Sequence, residues 1–187
     1  TTTILGPTLF WEYKKMLNPT VLNALDERTT CHWHGAHVPQ AADGGPYQII
    51  EPSGQPNDLW EPEFQVLDKS ATMWYHPHAM DLTYKHVQMG LSGIIIVEDP
   101  ADDPADPDDD ILAQIHDILP TAYNVNDFPL VFQTKKFDDV NGQMQIRSGF
   151  PGFKDDYEFM VNGIIDPYMN VPADMIRLRL LNGDGKF

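Results

Sequence analysis

Cys31-His32-Trp33-His34-Gly35 places two histidines at alternate positions, and Trp74-Tyr75-His76-Pro77-His78 repeats the arrangement further along the chain. The aromatic and small apolar residues around both motifs read as β-strand, where alternate side chains share a face. Each pair therefore offers two imidazoles on one face, about 7 Å apart, or twice the strand rise. Two such strands side by side would gather four imidazoles about one volume. Imidazole suits copper, zinc, iron and nickel, and no carboxylate stands beside either pair as a facial-triad iron site needs. The plain alternative is hydrogen-bonded structural histidines. It has to account for both pairs in a chain with only seven histidines.

Outward from these motifs the periodicity stays strand-like. Thr29–Val38, Glu63–Leu67, Ala71–Tyr75 and Leu91–Glu98 are short β-rich runs separated by turn formers such as Asp43-Gly44-Gly45-Pro46 and Pro52-Ser53-Gly54. Strand signals return at Pro129–Thr134, Phe159–Val161 and Met175–Leu181. Short strands with 16 prolines and 13 glycines between them predict an all-β fold, a sandwich or barrel. Helix is expected only around Thr83–Met89 and Ile111–Leu119. The run from Asp99 to Pro107 alternates Asp and Pro and reads as an acidic linker at 101–119, between a first domain at 1–100 and part of a second at 120–187. An uncovered sheet face and unpaired edges are expected in that second part, with association through them.

With 28 acidic and 12 basic residues, a net charge of −16, the surface repels phosphate backbones, so nucleic acid is a poor partner. The longest apolar run, Ile94-Ile95-Ile96-Val97, is strand-sized and well short of the roughly 18 residues that cross a bilayer, so no membrane span is expected. The single cysteine, Cys31, precludes an intrachain disulfide and reads as a small core residue rather than a ligand. The scattered methionines read as core fillers, and His37, His86 and His116 as surface or hydrogen-bonded residues.

In order along the chain, HWHG, DGGP, WYHPH and GLSGIIIVEDP resemble the N-terminal cupredoxin domain of multicopper oxidases, of the bacterial cuprous-oxidase and spore-coat-laccase type. DFPLVFQTKKF, FMVNG and RLRLLNG are similar to the start of the family's middle domain. The resemblance implies a cupredoxin-like Greek-key β-sandwich, near-complete in the first domain and partial in the second. It implies copper as cofactor, with His32 on a type 2 ion, His34 on one type 3 ion, and His76 and His78 on the type 3 pair. It further implies an oxidoreductase using dioxygen and a small reducing substrate, phenolic or a metal ion, in a secreted or periplasmic setting.

Asp43 lies where the cuprous-oxidase branch carries an acid near the cluster, a possible proton donor to reduced oxygen. Asp-Gly-Gly-Pro is equally a plain turn. The family's other two histidine motifs and its type 1 copper cysteine are not in this sequence. The chain is therefore expected to be the N-terminal portion of an enzyme, to lack the first strand of its sandwich, to hold half of the trinuclear ligands and to be inactive alone. A non-catalytic copper-binding or scaffold protein of the same fold is the alternative, and its degenerate members should lose the histidines kept here. A zinc hydrolase would want three ligands with an acid or base around one ion.

Overall fold

The computed structural model describes residues 4–100, 106, 109–146 and 157–185. In chain order its elements are β1 (Leu9–Glu12), β2 (Met16–Leu17), β3 (Val21–Leu22), β4 (His32–His34), β5 (Leu59–Trp60), β6 (Phe64–Gln65), β7 (Ala71–His76), α1 (Thr83–Gln88), β8 (Gly93–Glu98), α2 (Asp109–Ile118), β9 (Asp127–Phe137), β10 (Met144–Gln145), β11 (Glu158–Val161), β12 (Ile164–Ile165) and β13 (Arg177–Asn182). Among the described residues the fold is all-β with two α-helices, at the places the sequence predicts. Residues 101–105 and 107–108 of the expected linker lie outside the described residues, and α2 occupies much of the rest.

The first sheet runs β1-β8-β7-β4, with β1 parallel to β8 and the other pairs antiparallel. Two short antiparallel pairs, β2-β6 and β3-β5, face it as a second layer. Between them Trp11, Trp33, Phe64, Val66, Met73, Ile95 and Val97 close into a core, with Leu17, Val21 and Trp60 at its margin. Trp33 and Trp60 stack there with ring centroids 6.0 Å apart, and Trp11 meets Trp33 edge-on at 5.5 Å.

The run Ile94–Val97 is apolar without alternation because β8 is buried on both faces. Ile95 and Val97 enter the sandwich core, while Ile94 and Ile96 pack against Val131 of β9, with Leu181 of β13 alongside. Each such side chain contributes about 1.5–3 kcal/mol. The second sheet is organised by the long strand β9, which pairs with β10, β11 and, in parallel, β13. Buried Asp127 on β9 takes Arg177 and Arg179, and Arg179 also donates to Thr72 Oγ1 across the junction at 2.8 Å. The far face of this sheet is apolar and open: Leu178, Leu180, Phe159 and Ile164 are all exposed.

Several strands are shorter than their sequence suggests, β6 among them, which keeps only Phe64–Gln65 of the run expected at Glu63–Leu67. The run expected at Thr29–Val38 is regular only over His32–His34, because Gly35 at φ +96° turns the chain and Ala36 N–H donates back to Trp33 O at 3.1 Å. Thr29 makes only an isolated bridge to Ile50. The β8 ladder starts at Gly93 rather than Leu91, where Gly93 pairs with Tyr75 and the Tyr75 ring occupies the space a side chain at 93 would need. Core filling holds for Met73 and Met160, whereas Met80 and Met89 flank α1 at the surface.

Candidate metal centre

The β4–β7 register pairs His32 with His76, Trp33 with Tyr75 and His34 with Trp74. Strand alternation then sends Trp33 and Tyr75 toward the core, and His32, His34, Trp74 and His76 to the other face. On that face the imidazoles crowd together. Ring centroids lie 5.6 Å apart for His32–His34, 5.4 Å for His32–His76 and 5.3 Å for His34–His76. Ligand nitrogens of His32, His34 and His76 all lie within 4.8 Å of one another. His78 follows the end of β7, and its ring sits 5.2 Å from His32 and 5.9 Å from His76. The rings of each pair, 5.6 Å apart for His32–His34 and 5.9 Å for His76–His78, stand closer than strand rise alone predicts.

Backbone carbonyls orient two of the rings. His32 Nδ1 donates to Asp43 O at 2.9 Å and His76 Nδ1 to Pro77 O at 2.9 Å, which leaves Nε2 of each as the lone-pair atom. His34 Nδ1 lies 3.1 Å from His76 Nε2, so these two nitrogens point into the same space. The Trp74 ring covers the flank, 4.2 Å from His76. Burial pushes the His76 imidazolium down to about 4, against a pull upward from the Pro77 carbonyl; neighbouring His32, His34 and His78 push the same way as burial. His34 is lowered by burial and then by His32 and His78. Neutral imidazole is the form that ligates, so this set of donors fits a soft or borderline transition metal.

The depressed pKa of His76 carries a pH prediction for the metal-free protein. Between the ordinary histidine value of about 6.5 and about 4 the unfolded chain takes up a proton that the folded chain refuses. Stability is thus intact above the upper value and declines as pH falls toward the lower. Urea midpoints should drop from pH 7 to pH 4, with a shallower drop in His76→Gln; equal slopes in the two proteins would rule this out.

Asp43 closes the 3-10 turn Gln40–Ala42 and sits beside His32, its carboxylate Oδ1 3.4 Å from His32 Nδ1. Its turn clings to β4 by two further bonds, Trp33 N–H to Asp43 O at 3.3 Å and Trp33 Nε1 to Ala42 O at 3.0 Å. Cys31 is half-buried against the core just before β4, its thiol pushed up to about 12 by burial, so it offers no thiolate. His37 is exposed and pairs with Asp68, which raises its pKa. His86 is wholly buried and bonded to Thr29 Oγ1 at 3.2 Å. The side chain of His116 lies outside the described residues. Sequence reasoning passed over Trp74, whose alternation with His76 was there to be read, and Thr30, whose Oγ1 accepts from His78 N–H at 2.6 Å and which no motif marks.

A sequence model of the family described as multicopper oxidase matches residues 2–102. The multicopper oxidase mco of Staphylococcus haemolyticus is 37% identical over 180 residues, which is 96% of this chain and 36% of that protein. The solved structure of the laccase-like multi-copper oxidase CueO from Ochrobactrum sp. superposes with a TM-score of 0.78 at 33% identity, covering 96% of this chain and 37% of that one. Cell division protein FtsP of Escherichia coli is 30% identical over 178 residues, 95% of this chain and 34% of that protein. The chain thus spans about a third of the length of the relatives it matches.

Proposed function

The chain belongs to the multicopper oxidase family, whose metal is copper, and from that premise we propose that His32, His34, His76 and His78 are half the ligand set of a trinuclear copper cluster. The observation that carries this reading is the convergence of the His32, His34 and His76 nitrogens within 4.8 Å. His32 serves the type 2 ion, His34 one type 3 ion, and His76 and His78 the type 3 pair. When bound, copper supplies one-electron steps that zinc cannot.

The protein as a whole oxidises a small reducing substrate, phenolic or a metal ion, and reduces dioxygen to water, four electrons and four protons per dioxygen. The Ochrobactrum relative is described with oxidase activity towards lignin model compounds, which favours the phenolic class. Within this chain the Asp43 and Pro77 carbonyls hold His32 and His76 in ligating tautomers, and Trp74 shields one side of the cluster from water. The Asp43 carboxyl, beside His32 and part-exposed, is placed to take protons from solvent and pass them toward reduced oxygen. Residues 1–100 form a first cupredoxin domain, 101–119 a linker and 120–187 part of a second, whose open apolar face suits a further sheet. A secreted or periplasmic setting belongs to the same reading; no described helix is long and apolar enough to cross a membrane.

One relative, FtsP, is by name a cell division protein and not an oxidase, which favours a second reading, a non-catalytic scaffold of this fold. Elemental analysis after copper loading separates the two. The parent and Asp43→Asn, which keeps the backbone carbonyl, should hold copper, and the variant with all four histidines changed to alanine should hold none. Copper absent from the folded parent would leave the scaffold reading standing.

A further inference from the structure

His78 is the one ligand outside the β4–β7 ladder, so something other than strand pairing must set its position. The connection that carries it runs from the end of β7 into α1, with Leu82 and Thr83 N–H both donating to Ala79 O. Against this connection lies the Thr29-Thr30 step that leads into β4. Its two buried hydroxyls bond to the two ends of the connection. Thr30 Oγ1 accepts from His78 N–H at 2.6 Å, and Thr29 Oγ1 bonds His86 Nδ1 on α1 at 3.2 Å. The four residues form a closed frame, with two hydrogen bonds as its rungs.

His86 has no solvent exposure, and its Nε2 lies 3.3 Å from Glu27 Oε1 but out of hydrogen-bond alignment. Lys85 in turn holds Glu27 through both carboxylate oxygens. A polar ring in so dry a place costs stability unless it is held, and Thr29 supplies the aligned bond here.

We propose that His86 is a positioning residue for the copper ligand His78: by tying α1 to Thr29 it keeps the His78 connection in register with Thr30, so the imidazole is preset before metal arrives. This rests on the copper-cluster reading. Removing His86 does not release α1 altogether. Val87 is buried beside it, and the Lys135 ammonium donates to Gln88 O at 2.8 Å, so the helix stays docked and the variant folds. The loss falls on geometry at His78, in the manner of groups that orient metal ligands from behind.

The test is a copper competition titration against a chelator, with electron paramagnetic resonance of the loaded protein and thermal melting in parallel. His86→Leu should weaken copper by about 10–100-fold, the range for such supporting groups. Thr30→Val should reproduce the loss, and His86→Asn, whose amide occupies the Nδ1 position, should recover most of it. The altered coordination should also change the resonance spectrum of His86→Leu. A His86→Leu protein that melts lower but binds copper with the parent's affinity and spectrum overturns the proposal and leaves His86 a purely structural residue. If the variant lacking all four histidines binds copper as the parent does, the cluster reading fails and the brace falls with it. Copper lost in that variant but kept at parent affinity in His86→Leu removes the brace alone.

Discussion

Gly44→Ala should weaken copper binding at the histidine cluster by about 10–100-fold and destabilise the protein by about 2–5 kcal/mol. Gly44 sits at φ +69°, where a Cβ costs about 1–2 kcal/mol. That Cβ would also collide with Cys31 O and lie 2.9 Å from His32 N, backbone atoms at the entry to β4. Neither can give way without moving β4, which is laddered to β7 and anchored by Trp33 in the core. Overpacking of this kind adds about 1–3 kcal/mol. The turn must lift away, and Asp43 O then leaves His32 Nδ1, so the ring loses its fixed tautomer. Gly54 is the control: it too has positive φ, +78°, but nothing lies within 4 Å of its Cβ position. Gly54→Ala should lose only the backbone part and keep its copper. Urea melts and a copper titration on both variants check this; parent-like stability and affinity in Gly44→Ala would sink it.

Trp33→Ala is the second large effect, about 3–5 kcal/mol by urea unfolding. Only 2% of Trp33 is exposed, and it touches Trp11, Trp60, Phe64 and Tyr75. Its removal leaves a cavity in the middle of the aromatic core and deprives Ala42 O of its donor. Trp33→Phe separates the two losses. It keeps much of the packing but not the Nε1 bond, and should cost about 1–3 kcal/mol. Because that bond pins the turn carrying Asp43, both variants should also bind copper more weakly. A drop in stability with unchanged copper affinity would mean that core and site are independent.

The link between core and site is a property of β4 that its sequence states directly. His-Trp-His alternates, and period-2 geometry requires the histidines and the tryptophan to face opposite ways. The same rule made Trp74 readable as a neighbour of His76. These inferences need only the pleat and the hydrophobic effect, both local. The unbroken Ile94–Val97 run reads only as strand-sized, and the structure supplies the reason for its lack of alternation: Ile95 and Val97 face one core and Ile94 and Ile96 the other. Where β4 stops was harder to read. Residues 35–38 continue the apolar pattern, and only the left-handed Gly35 and the turn back to Trp33 end the strand.

By itself, then, the sequence determined the all-β class and the face shared by His32, His34 and His76, which follow from side-chain chemistry repeated at a fixed spacing, and its motifs carried the resemblance to the family. Only the tertiary structure decided the rest. The register that sets His32 against His76, the Asp43 carbonyl on His32 and the frame of Thr29, Thr30 and His86 around His78 all join residues far apart in the chain. Main-chain carbonyls carry no sequence signature, and a threonine hydroxyl serves as readily in a turn as in a site. Their roles exist only once packing has brought the distant segments within hydrogen-bond reach.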